Sequence, residues 1–180
     1  MRGQSAHDYL LNFQLAAPAA LQWRSDDSGT LLETDGLTVA QPHRVGHTAR
    51  LDDGWVSPRY GHKHSAIALR TQVRSRDADF DSALLPWRDA APHLRVGTLP
   101  AVNVRGECLE ALLIETGETI DGWFHARGGD EHRPWRIGKR VFTGRWLHWR
   151  EDADGRLLRA VSHAGASLHT TDGAWPLDQP

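Results

Sequence analysis

Ser65-Ala66-Ile67-Ala68-Leu69-Arg70-Thr71-Gln72-Val73-Arg74 is the longest alternating run in the first half of the chain. Ile67, Leu69, Thr71 and Val73 fall on one face, and Ala66, Ala68, Gln72 and Arg74 on the other. A period of two places successive side chains on opposite sides of a sheet, so this run reads as a central strand. Downstream, residues 80–87 are expected to pair with it antiparallel across the polar turn Arg76-Asp77-Ala78-Asp79. Pro86 should end that strand, because proline has no N–H to give to the ladder.

Upstream the same habit continues. Over residues 6–15, Tyr9, Leu11, Phe13 and Leu15 alternate with Leu10, Asn12 and Gln14. Short strands follow at 20–24, 30–33 and 37–41, separated by the turn signals Asp26-Asp27-Ser28-Gly29 and Asp35-Gly36. Beyond residue 88 the period lapses among Pro92, Gly97 and Pro100. We read residues 88–100 as a crossing loop within one domain of 180 residues, because neither half carries enough apolar pattern to close its own core comfortably. Strands then return at 108–115, 119–126, 135–137, 139–150, 156–162 and 167–170, the last reached through Gly165. The stretch 139–150 reads as one strand, with Val141, Leu147 and Trp149 on one face and Phe142, Trp146 and His148 on the other. No segment keeps a helical period over ten residues. The expected fold is all-β and antiparallel, a two-layer β-sandwich or large bent sheet with little or no helix.

Composition narrows the function classes. A net charge of -2, from 21 basic and 23 acidic side chains interspersed along the chain, gives no one-signed field for nucleic acid or an anionic membrane. Only Lys63 and Lys139 are lysines, and the arginines that make up the other cations suit carboxylates and sulfates. No apolar stretch approaches a membrane span, so a soluble chain is expected. Arg2, Leu10, Leu11 and Ala16-Ala17-Pro18-Ala19-Ala20 imitate a signal peptide, but Asp8, Asn12 and Gln14 interrupt it and the segment reads as strand. The lone cysteine, Cys108, is expected to be buried filler. No phosphate-binding glycine loop is present, and no cofactor is expected.

Three stretches carry a resemblance. They are Trp55-Val56-Ser57-Pro58-Arg59-Tyr60-Gly61 with the strands that follow it to Leu84-Leu85-Pro86; the closing hairpin from Phe142 through Asp152-Ala153-Asp154-Gly155-Arg156-Leu157 to Ala164-Gly165-Ala166-Ser167-Leu168; and the opening His7-Asp8-Tyr9-Leu10-Leu11-Asn12-Phe13-Gln14-Leu15. In this order the chain resembles the C-terminal portion of heparinase II/III-like polysaccharide lyases. The resemblance implies an antiparallel β-domain that accompanies an α/α toroid in enzymes cleaving uronic-acid polysaccharides by β-elimination. There a base removes the C5 proton and an acid protonates the leaving oxygen. The catalytic tyrosine and its partner belong to the toroid, and the metal and active-site histidines precede the strand that opens this chain. The resemblance therefore implies no catalytic residue here, and a distal β-domain inactive by itself. A fragment, a split partner and a stand-alone module all remain open. The implied partner is an acidic polysaccharide, or a toroid domain or subunit.

Candidate site residues gather in the first stretch. Arg59 and Tyr60 would meet an anionic sugar from a loop stiffened by Pro58, with Trp55 as a further contact. The plainer reading packs Tyr60 on the sandwich edge and pairs Arg59 with Asp52 or Asp53. His62 and His64, alternate on a strand, point one way and suit a metal, but a cupin-like site would want a glutamate where Ala68 stands. A third ligand would have to come from His43, His47, His125, His132, His148 or His163; otherwise the pair is surface histidine. Ser57 and Ser65 lie near these histidines without a nucleophile elbow. Among the eight tryptophans, Trp123, Trp135, Trp146 and Trp149 read mainly as packing and Trp87 and Trp175 as the exposed ones.

Overall fold

The computed structural model describes residues 5–16, 20–163 and 166–177. Their regular structure is entirely β. Ala17, Pro18, Ala19, Ala164 and Gly165, which figure in the readings above, lie outside the described residues, as does Arg2. The chain divides into two compact units, residues 1–91 and 92–180, with the boundary inside the stretch read as a crossing loop.

In the first unit the strands are β1 (His7–Ala16), β2 (Leu21–Asp26), β3 (Gly29–Thr34), β4 (Leu37–Gln41), β5 (Thr48–Arg59), β6 (His62–Ser75) and β7 (Ala83–Pro86). They form two antiparallel sheets, ordered β1-β6-β5 and β2-β3-β4-β7. The run that opened the sequence reading is the middle of β6, and it is central as expected. Phe13 and Leu51 flank Leu69 in cross-strand register, and this row packs on Leu32 and Val39 of the other sheet. Trp23 and Leu37 close the margins, making a two-layer sandwich held by apolar burial. Residues 80–87 do not pair with β6. Both edges of β6 are taken by β1 and β5, so the shorter β7 joins β4 instead, with Val39 opposite Leu84, and ends at Pro86.

The second unit holds β8 (Leu94–Asn103), β9 (Cys108–Thr116), β10 (Thr119–His125), β11 (Pro134–Ile137), β12 (Arg140–Thr143), β13 (Trp146–Asp152), β14 (Leu157–His163), β15 (Ser167–Thr170) and β16 (Gly173–Trp175). They form one antiparallel sheet ordered β14-β13-β10-β9-β8-β11-β12-β15-β16. Its two ends share a core: Leu147, Trp149, Leu157 and Ala160 from one end meet Phe142, Leu168 and Trp175 from the other. The bent sheet is thus a nearly closed barrel. A buried ion pair between Arg140 on β12 and Glu151 on β13 joins strands that are far apart in the sheet order.

Several expectations are corrected. The stretch 139–150 is two strands, because the chain turns a corner at Gly144 (φ +151°), where a Cβ would lie 2.6 Å from both Ala166 and Phe142. The inward phase slips there by one residue, so Phe142 is buried with Leu147 and Trp149 while Val141 is exposed. Residues 88–100 are loop only to residue 93. Leu94 and Val96 are buried and begin β8, and Pro100 falls immediately before β11 joins that strand at Ala101. Arg59 is the last residue of β5 rather than loop, and Cys108 is exposed. Among the described residues, no helix is long and apolar enough to cross a membrane.

Candidate functional site

Strands β5 and β6 form a long hairpin whose register runs from Thr48 opposite Gln72 to Arg59 opposite His62, with a bulge between Val56 and Arg59. The Ser57 hydroxyl donates to the Arg59 carbonyl at 2.8 Å across that bulge. Tyr60 and Gly61 make the turn, and Gly61 supplies the left-handed backbone (φ +76°) that the reversal needs. The alternation that buries β6 from Ala66 onward stops at Ser65. From Trp55 to Ser65 only Val56 is even half-buried.

This free end brings together Trp55, Arg59, Tyr60, His62 and His64. Trp55 is 53% exposed, the highest value among the eight tryptophans, and Tyr60 is fully exposed. Lys63 Nζ sits 4.5 Å from the centroid of the Trp55 ring, a cation–π contact. Residues 54–66 contain Arg59, His62, Lys63 and His64 and no aspartate or glutamate. Tyr60 does not pack on the sandwich edge, nor does Arg59 pair with Asp52. That carboxylate accepts instead from Arg50 at 2.9 Å and Arg70 at 2.8 Å. The Arg50 hydrogen bond, backed by the charges of Arg50 and Arg70, holds Asp52 below the usual carboxylate range. Arg59 and Lys63 form no ion pair among the described residues.

Chemically, the hairpin end offers fixed positive charge beside exposed aromatic faces. Such a surface recognises anionic, ring-bearing ligands. Tyr60 stands there fully exposed to solvent. His62 and His64 are both exposed, and among the described residues no group of three histidine, cysteine or acidic side chains is placed to hold a metal. The two tryptophans expected to be exposed are half-buried. Trp87 Nε1 donates to the Thr38 hydroxyl at 3.2 Å, and Trp175 packs against the barrel core.

Two polar clusters were not foreseen. In the first unit, a small open cleft is lined by Thr30, Gln41, Arg44, His47, Phe80 and Asp81, among others. Gln41 is locked by Thr71, which donates to it at 2.6 Å, and it donates in turn to Ser82 at 2.9 Å. Arg44 pairs with Asp81, and the His47 ring lies 5.1 Å from that of Phe80. In the second unit, Asp121 accepts two bonds from Arg150, at 2.9 and 3.0 Å, and lies 3.0 Å from His148 Nε2. Trp123 stacks on His148 at 4.8 Å. The first cluster draws on β3, β4 and β6 and on the connecting segments 42–47 and 76–82, the second on two residues each from β10 and β13, and no local motif announces either.

Burial, aided by the Arg44 charge, pulls the His47 imidazole below its ordinary pKa. The folded chain then binds fewer protons here than the unfolded one, so this contribution is complete above the ordinary histidine value of about 6.5 and is lost as pH falls below it. The expected outcome is that urea midpoints measured between pH 7 and pH 5 fall less steeply for His47→Gln than for the parent chain. An unchanged slope would contradict it.

No known protein family, curated protein or solved structure matches the chain.

Proposed function

We propose that this chain is a non-catalytic β-module that binds acidic polysaccharide through the end of the β5–β6 hairpin. The observation that carries the reading is the co-location, on one free hairpin end, of Trp55, Arg59, Tyr60 and Lys63 in a stretch devoid of carboxylates. Exposed aromatic rings stack on pyranose faces, and guanidinium and ammonium groups neutralise uronate carboxylates or sulfates. The resemblance to the distal β-domain of heparinase II/III-like lyases supplies the same ligand class. Beside an α/α toroid such a module would wall one side of a polysaccharide cleft, and alone it would bind without cleaving.

The test is retention on heparin and alginate matrices. The parent chain should be retained and eluted by salt, as expected where ionic contacts dominate. Arg59→Ala should weaken retention about three- to ten-fold, in line with about 1 kcal/mol for one exposed charge contact. Retention indifferent to Arg59→Ala would contradict the site. Release of the unsaturated uronate chromophore by the purified chain would contradict the non-catalytic reading.

A further inference from the structure

Within that reading, and resting on it, we infer that Lys63 is the residue that makes the hairpin end selective for anionic over neutral glycans. Trp55 stands opposite Ser65 in the β5–β6 register, and Lys63, two residues before Ser65, returns to the same face. Its ammonium covers the Trp55 ring at 4.5 Å, although the indole is 53% exposed and Lys63 itself is exposed. The cation has no carboxylate partner among the described residues, so the ring is what holds it in place.

A sugar that stacks on this face must first displace the ammonium. A neutral sugar gives the displaced cation nothing in exchange. A uronate or sulfate offers it an ion pair while the pyranose takes its place on the ring. The cap therefore acts against neutral ligands and in favour of anionic ones, which is selectivity by a repulsive as well as an attractive element. Arg59, at the bulge opposite His62, adds a second fixed charge without covering a ring.

The experiment titrates the full chain with an alginate hexasaccharide and with cellohexaose, following the Trp55 indole N–H by NMR, assigned with Trp55→Phe. Lys63→Met keeps the apolar stem and removes the charge. It should weaken alginate binding and strengthen cellohexaose binding about two- to five-fold, the size of an exposed cation–π contact. Lys63→Arg should restore the parent preference. If Lys63→Met loses alginate affinity with no gain for cellohexaose, Lys63 is merely one more charge and the selectivity role is overturned while the polysaccharide reading stands. If the parent chain binds neither hexasaccharide, the polysaccharide reading itself is overturned.

Discussion

Replacing Gly122 by alanine is expected to destabilise the second unit by about 3 kcal/mol, the upper end of ordinary overpacking penalties. Gly122 lies opposite Trp149 in the β10–β13 register, and the indole occupies the space a side chain at Gly122 would need. A Cβ at Gly122 would fall 2.5 Å from Cη2 of that ring and closer still to Cζ2 and Cε2. Trp149 cannot retreat, because it is fully buried in the barrel core beside Leu147, Leu157 and Ala160. The Arg140 guanidinium also sits 4.8 Å from the ring. Thermal unfolding of Gly122→Ala should show a midpoint lower by more than about 10 °C, at about 4–8 °C per kcal/mol for a unit of this size. Adding Trp149→Phe should recover part of the loss, since a smaller ring leaves room for the methyl group. A Gly122→Ala chain as stable as the parent would contradict the close packing described.

The second large effect concerns the barrel's buried charges. Arg140 and Glu151 are 3% and 6% exposed and form an ion pair inside the unit. Burial lowers the Arg140 pKa to about 10, so the guanidinium remains charged at neutral pH. Removing one member of a buried pair strands the other, at about 3–5 kcal/mol. Glu151→Gln should therefore cost about that much. Arg140→Met should cost less, because Lys139 Nζ lies 3.6 Å from the same carboxylate and is half-exposed, able to serve as a partial substitute. The double change Arg140→Met with Glu151→Leu should return stability to near that of the parent chain. Urea denaturation of the three variants checks this order. Equal losses for Glu151→Gln and Arg140→Met would show that Lys139 offers no compensation.

The fold class was legible because it depends on local alternation, which β1, β6 and β15 display in the sequence almost residue for residue. What escaped was set by distant neighbours. Strand β5 carries no alternating signal of its own, because Asp52, Asp53, Gly54 and Pro58 break its apolar pattern. It pairs along its length with β6, while most of its residues remain at least half-exposed. The partner of β7 depends on β6 having both edges occupied, which no local signal states. The phase slip at Gly144 belongs to barrel closure, where the packing of Phe142 and Ala166 decides which side chain turns inward. Trp55, Arg59 and Tyr60 could be picked out as a composition of charge and aromatic rings beside a turn. That Lys63 caps Trp55 could not, because that contact crosses the bulge between two strands.

The measurement that bears most directly on the hairpin end as the binding site is an amide NMR footprint of the full chain titrated with a heparin hexasaccharide. Perturbations concentrated between Gly54 and Ala66, with the Trp55 indole N–H among the largest, are the predicted result. Perturbations centred instead on the cleft at His47 and Phe80, or spread evenly over both units, would contradict it.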